Sequence, residues 1–341
     1  MANRLFIWHR YEYIEHGRLN SGHKYAIFLG FSAIINCIME KTKNSQIKSS
    51  LLLLLASVVW GLAFVAQSIA GDSVGTFTFN GIRFIIGGLC LLPFLKGHNI
   101  APSKIPFKKL IGGIICGIAL FLASSFQQGG IALGADAGEA GFLTACYIVL
   151  VPVLGLLIGR KCSVFVWPAV CIALFGLYLL CIPASGSGLK ISTADIALFA
   201  CAFMFSIQIL CVDHYAKEMS PVALACVQFF VSGTVSLIAA FAFEFIPAPS
   251  AWLSSLSRPL SWVAILYTGI FSCAVGYTIQ AIGQRNLNPS LASLIMSLES
   301  VFSSIFGWLI LRQTMNLREA LGCALIFAAV LLAQIPQKNL T

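Results

Sequence analysis

Charge is what this sequence has least of. Of its 341 residues only 10% are Asp, Glu, Lys or Arg, where an average soluble domain carries about 25%. Hydrophobic residues make up 59% and the mean hydropathy is +0.92, which excludes a soluble globular chain. Histidine is scarce too. His9, His16, His23, His98 and His214 all fall outside the apolar runs, so a histidine-ligated metal at membrane depth has no ligands. There is no CxxC pair, no cluster of Cys with His, and no GxxxxGK[ST] phosphate loop. A metal centre of familiar spacing and a pump with its own ATPase site are thereby excluded. The few, scattered carboxylates argue against a membrane-embedded enzyme acting on lipid-linked substrates, which needs an acid/base pair or nucleophile converging at one membrane face.

What is present is apolar sequence in blocks. Runs bounded by charge or by Pro and Gly predict ten crossings, at 50–70, 77–95, 110–131, 138–158, 164–182, 195–212, 222–243, 261–281, 290–311 and 318–335, each near the roughly 20 residues a helix needs to span a bilayer. Five crossings per half put the second half into the membrane upside down relative to the first, as inverted-repeat transporters require. The expected fold is an all-α polytopic membrane protein of ten helices in two inverted five-helix repeats, 49–182 and 195–335. Most of the twelve cysteines, among them Cys90, Cys116, Cys146, Cys171, Cys201, Cys226, Cys273 and Cys323, lie inside these runs and read as small packing residues. The glycine pairs Gly113/Gly117, Gly134/Gly138 and Gly155/Gly159 have the spacing that lets helices approach closely.

The net charge of +9 has a membrane explanation, since basic residues collect on cytoplasmic loops; no nucleic-acid partner is expected. With residues 40–48 inside, the inner loops hold twelve Lys and Arg against four outside, which sets both termini in the cytoplasm. The apolar stretch Tyr25–Met39 is too short to cross and lacks a small-residue cleavage site. Residues 1–48 are therefore expected to be an N-terminal extension that is not part of the bundle, with Met39 as a candidate start.

Sliding the sequence along itself by 152 residues matches Gln128 with Gln280, Ala140 with Ala292, Val149 with Val301, Gly155 with Gly307 and Arg160 with Arg312, as an internal duplication would. The runs Leu55–Gly61, Gly81-Ile-Arg-Phe84, Tyr147–Arg160, Leu298-Glu-Ser-Val-Phe302 and Gly307–Arg312 resemble EamA-type members of the drug/metabolite transporter superfamily. The resemblance covers about residues 49–335. It implies a ten-helix secondary transporter, often an exporter of amino acids or other small metabolites. Two positions depart from the pattern: Ser300 stands where the family has Pro after the Glu of crossing nine, and Leu311-Arg312 replaces its Glu. The first crossing also lacks the embedded Glu of the four-helix relatives, so their proton coupling does not carry over.

An ionisable group at the bilayer centre costs at least about 2.5 to 3.5 kcal/mol on insertion scales and is a functional candidate by default. Glu299 is the clearest, about ten residues into crossing nine and so roughly 14 Å deep at 1.5 Å per residue. It either contacts substrate, with or without proton exchange, or locks helices by hydrogen bonding. Arg83 is close enough to the membrane edge to snorkel; it either anchors there or recognises a substrate carboxylate or pairs with Glu299. Gln67, Gln127, Gln128, Gln208, Gln228 and Gln280 all fall in crossings. Trp60, Phe64 and Gln67 share one helix face, and so do Tyr277 and Gln280. Such amides and rings either bond helices together or line a cavity suited to an uncharged or zwitterionic solute. Tyr147 is the mate of Glu299 at the 152 offset and faces it if the cavity is pseudo-symmetric.

The expected substrate-binding set is Trp60, Gln67, Arg83, Gln128, Tyr147, Gln208, Tyr277, Gln280 and Glu299, with Gln128 and Gln280 as paired amides. No catalytic residue, metal or cofactor is implied. The expected protein is a multi-pass transporter of a small amino-acid-like or drug-like solute in a plasma membrane, such as the bacterial inner membrane. A monomer and a homodimer both fit, proton or ion coupling stays open, and so does a non-transporting receptor on the same scaffold.

Overall fold

With no water in a hydrocarbon layer, each backbone N–H and C=O must be satisfied within its own segment, which favours helices. The computed structural model describes residues 45–71, 74–97, 107–135, 137–181, 192–311 and 316–335, and no strand occurs among them. The expected extension lies outside these residues except for 45–48, which begin the first helix. In chain order the first half holds α1 (Ser45–Gly71), α2 (Thr76–Gly97), α3 (Phe107–Ala132), α4 (Ala137–Ala145), α5 (Tyr147–Leu157) and α6 (Val166–Cys181). The second holds α7 (Thr193–Tyr215), α8 (Pro221–Ala240), α9 (Pro249–Leu256), α10 (Pro259–Tyr267), α11 (Thr278–Gln284), α12 (Pro289–Met296), α13 (Leu298–Leu311) and α14 (Leu317–Ala333). Among the described residues are two π-helical stretches: Phe241–Phe245 extends α8, and Thr268–Tyr277 joins α10 to α11 without a break.

Among the described residues eight stretches are long and apolar enough to cross a membrane, with α4–α5, α10–α11 and α12–α13 each acting as one. The chain is a multi-pass membrane protein. The other two expected crossings are shorter helices, α6 with 16 residues and α14 with 17, about 24 and 26 Å long at 1.5 Å per residue.

Local chemistry sets the ends. Proline stands at the first turn of α8, α9, α10 and α12, where its missing N–H costs nothing. Reciprocal capping boxes open α7 (Ser192 with Asp195) and α14 (Asn316 with Glu319), satisfying otherwise orphaned N–H groups. Gly134 (φ +99°) and Gly159 (φ +77°) end α3 and α5 in the left-handed conformation, a glycine C-terminal cap. That corrects the expected close-packing role of these two, since a Cβ on either would meet nothing within 4 Å. Gly155 likewise has only the Arg160 Cβ at 4.0 Å, whereas Gly113 and Gly117 do pack hard against α8.

Crossings four and nine are each broken once, at Cys146 and at Ser297, nearly the same place in each half. In α5, Pro152 removes a further helical hydrogen bond. Of the cysteines expected to pack inside, Cys116, Cys201, Cys226 and Cys273 are buried, while Cys171 is exposed on α6.

The packing exchanges between halves. α2 lies against α8, and α6 against α14, so the second and fifth expected crossings of each half meet their counterparts. α3 packs on α7, while its counterpart α10–α11 packs on α1; α3 also packs on α8, and α10–α11 on α2. Such reciprocity is what two repeats related by a pseudo-two-fold axis produce. Gly176 and Gly322 mark one of these crossings, each facing the other's carbonyl with no room for a Cβ.

Candidate functional site

The broken crossings and the π-helical stretch converge on a cavity of about 40 Å³ lined from both halves. At roughly 10–15 Å³ per water this is room for a few waters only. The first half supplies Trp60, Phe64 and Gln67 from α1, Arg83 from α2, Gln127 from α3, Thr144 from α4 and Tyr147 from α5. The second supplies Phe205 and Gln208 from α7, Ser272 and Tyr277 from the π-helical stretch, Gln280 from α11, Met296 from α12 and Glu299 from α13.

The two breaks carry the centre. Tyr147 is the first residue of α5 and Glu299 the second of α13, so both project from newly started helices. The Tyr147 hydroxyl donates to Glu299 Oε1 at 2.9 Å. Glu299 is 7% exposed, and no Lys, Arg or His among the described residues lies within ion-pair distance of it.

Arg83 is 4% exposed and also has no ion-pair partner among the described residues. Its Nη1 donates to Gln67 Oε1 at 3.2 Å, and its guanidinium sits 5.1 and 4.9 Å from the ring centroids of Phe79 and Phe84, contacts that offset part of the desolvation of a cation. The expected alternative, Arg83 paired with Glu299, is not made: each has its own neutral partner. A carboxyl and a guanidinium therefore line one cavity without neutralising each other, an arrangement that is costly in a low-dielectric interior unless a ligand or proton compensates it.

The walls are fixed by close contact. Trp60 donates its indole N–H to the Ser272 carbonyl at 3.2 Å and lies 5.0 Å from the Tyr277 ring centroid. A Cβ on Gly276 would come within 2.6 Å of the Trp60 Nε1, so the ring seats there because position 276 has no side chain. π-helical turns recur at functional sites.

The amides form a chain: Gln280 Nε2 donates to Gln208 Oε1 at 3.3 Å, and Gln208 Nε2 reaches Gln228 Oε1 at 3.5 Å. The expected pairing of Gln280 with Gln128 is replaced by this one. Gln128 sits one helical position past Gln127, which takes the cavity-facing place and reaches Thr144 at 3.5 Å. Gln128 is 1% exposed and is absent from the lining, with no hydrogen-bond partner among the described residues. Eight of the nine expected residues thus meet at one cavity. Gln127, one of the crossing amides left out of the expected binding set, and Thr144, which the sequence did not mark, join them.

Polar links also join the halves beyond the cavity. Asp213 on α7, fully buried, is shared by Arg160 after α5 and Lys217 after α7, and Asn288 donates to the Lys161 carbonyl at 2.9 Å. At the other end Glu244, in the first π-helical stretch, accepts from the Phe77 and Thr78 backbone N–H groups at 2.7 and 2.9 Å and from the Thr78 hydroxyl. It caps the N-terminus of α2 from the opposite half, where the helix dipole favours an anion.

Comparison with known proteins places this arrangement. The sequence profile described as the EamA-like transporter family matches residues 47–182 and 192–334. An uncharacterized transporter of Archaeoglobus fulgidus is 32% identical over 290 residues, 83% of this chain and 84% of that one. The uncharacterized inner membrane transporter YedA of Escherichia coli is 23% identical over 82% of this chain and 88% of its own length. A solved crystal structure at 20% identity covers 84% of this chain and 96% of that one with a TM-score of 0.70, which bears on the fold alone.

Proposed function

The chain belongs to the EamA-like transporter family, and from that premise we propose that it is a secondary transporter moving a small organic metabolite out of the cell by alternating access. Family and relatives are transporters rather than enzymes, so the general role is transport; substrate class, direction and mechanism are our reading. The observation that carries it is the cavity built from both halves, in which a buried carboxyl and a buried guanidinium lack counter-charges. At about 40 Å³ it holds no metabolite, so a solute gains entry only when the halves move apart. Rocking of two repeats about a central site supplies that motion.

In this reading α6 and α14 complete ten crossings, and the second half is inverted relative to the first. The excess of basic residues on one set of loops puts both termini in the cytoplasm of a plasma membrane, in keeping with a relative named as an inner membrane transporter. Trp60, Phe64 and Tyr277 contact the apolar part of the solute, the amides of Gln67, Gln208 and Gln280 its polar part, and Glu299 with Tyr147 its centre. The solute is amino-acid-like or drug-like, no cofactor takes part, coupling to a proton or ion fits Glu299, and a monomer or homodimer suffices.

A thermal-shift screen of the purified chain against amino acids, nucleobases, sugars, polyamines and cationic drugs tests this. A ligand that binds only the folded state raises its apparent stability by mass action. A chemically coherent set of hits, lost in Glu299→Gln, supports the reading; hits that persist unchanged in Glu299→Gln remove the site assignment.

A further inference from the structure

We propose that a hydrated polar branch leads from the central cavity, between α2 and α8, to the end of the bundle where α2 begins, with Glu244 as its latch. It rests on the transport reading only for what passes along it. Three polar residues of α8 recur at four-residue spacing, Gln228, Ser232 and Ser236, and so lie within about 80° of one another on one face; Glu244 follows two turns later, in the π-helical stretch that extends α8. Gln228 is already tied to the cavity through Gln208.

All three polar residues are fully buried, and each has an atom without a partner among the described residues: Gln228 Nε2, Ser232 Oγ and Ser236 Oγ. A serine inside a helix ordinarily satisfies its hydroxyl on the carbonyl four residues earlier. Ser57, Ser124 and Ser206 do so here, and Ser232 and Ser236 do not.

The facing helix repeats the pattern. A Cβ on Gly233 would lie 3.1 Å from the Ile85 backbone N, and one on Gly81 3.2 Å from that of Leu237. These contacts set Ser236 at the height of Ile82, between Asn80 and Arg83 on α2. Asn80 spends its Nδ2 on the Ser124 carbonyl and leaves Oδ1 unpartnered; Arg83 spends Nη1 on Gln67 and leaves Nε unpartnered. Both side chains are more than nine-tenths buried. Unpartnered donors and acceptors therefore gather on two helices from opposite halves, at the height of the cavity's guanidinium and above it. Buried polar groups in native proteins are satisfied, by water where no protein atom serves. Here the partners are water and the polar groups of a passing solute.

The far end of the file is stopped by Glu244, whose carboxylate occupies the space beside Gly75 and bonds to Phe77 and Thr78. Trp252 braces it by donating to the Thr78 hydroxyl at 2.7 Å. Parting α2 from α8 breaks those bonds and opens the file.

The test is cysteine accessibility. Ser232→Cys and Ser236→Cys in the otherwise intact chain are exposed to a small cationic thiosulfonate, and labelling is followed at each peptide by mass spectrometry because the chain has twelve native cysteines. Ala329→Cys, equally buried in α14 but away from the file, is the reference. The expected result is labelling of both serine positions at least tenfold faster than position 329, and a further severalfold acceleration by Glu244→Gln. Labelling no faster than at 329 in folded protein overturns the branch, and no response to Glu244→Gln overturns the latch. Solute flux by unmodified protein is recorded in parallel: flux without labelling refutes the branch and leaves the transport reading intact, whereas labelling without flux of any solute supports the branch and counts against transport.

Discussion

Replacing Gly276 by Ala adds one methyl group where the cavity wall is tightest. Its Cβ would lie 2.6 Å from Trp60 Nε1 and 3.2 Å from Trp60 Cε2, against the roughly 3.5–4.0 Å at which nonbonded heavy atoms attract. The Trp60 ring must shift. It then loses its bond to the Ser272 carbonyl, worth about 1 kcal/mol, and strains its packing on Tyr277, where overpacking costs about 1–3 kcal/mol. The intrinsic helical preference for Ala over Gly returns about 0.8–1 kcal/mol. The net is a destabilisation of about 1–3 kcal/mol. Gly129→Ala is the matched control: nothing lies within 4 Å of its Cβ, so that substitution is neutral or stabilising by at most about 1 kcal/mol. Reversible unfolding in mixed micelles by increasing SDS measures both. A double-mutant cycle adds Trp60→Phe, which removes the indole nitrogen and reduces the cost of Gly276→Ala by at least half. Equal stabilities of Gly276→Ala and Gly129→Ala, or a cost undiminished in the Trp60→Phe background, would refute the close seating of Trp60 on the π-helical stretch.

Two further outcomes follow from the contacts between halves. Gly322→Ala drives a methyl into the Gly176 carbonyl and to 2.8 Å from the Leu180 backbone N, atoms that cannot rotate away, so its cost in the same SDS assay is at the upper end of the overpacking range, about 3 kcal/mol. Asp213→Ala removes a fully buried carboxylate from two cations; one-sided loss of a buried pair costs about 3–5 kcal/mol, but Arg160 and Lys217 side chains are 27% and 48% exposed and reach water, so about 1–2 kcal/mol is expected, together with faster proteolysis at the loop holding Arg160 and Lys161.

The apolar blocks were legible because a bilayer imposes length and composition directly on the sequence, and most helix ends carry local signals, Pro221, Pro259 and Pro289 at their starts and Gly134 and Gly159 at their ends. The breaks at Cys146 and Ser297 were not, since neither residue is a helix breaker by itself and the apolar run continues through both. The π-helical stretch at Thr268–Tyr277 has no compositional mark either; Gly269 and Gly276 within it are required by neighbours, Ile86 and Trp60, more than 180 residues away in sequence. Tyr147 facing Glu299 was legible through the 152-residue offset, because a repeat carries three-dimensional information in one dimension. Gln127 and Gln128 illustrate the limit: adjacent residues differ by about 100° around a helix, so a small rotation decides which amide lines the cavity, and rotation is set by partners rather than by sequence pattern. Asp213 passed unnoticed at the end of an apolar run, where a carboxylate looks like a solvated helix end until Arg160 is brought to it from the other half. Arg312, the expected mate of Arg160, lies outside the described residues.

The most direct measurement is solute release from proteoliposomes loaded with a defined mixture of small metabolites, followed by mass spectrometry for unmodified protein, Glu299→Gln and protein-free vesicles. The account predicts that one chemical class leaves the vesicles containing unmodified protein, and that Glu299→Gln, still folded, releases it at least tenfold more slowly. Release by unmodified protein no faster than from protein-free vesicles, or by Glu299→Gln at the unmodified rate, would contradict it.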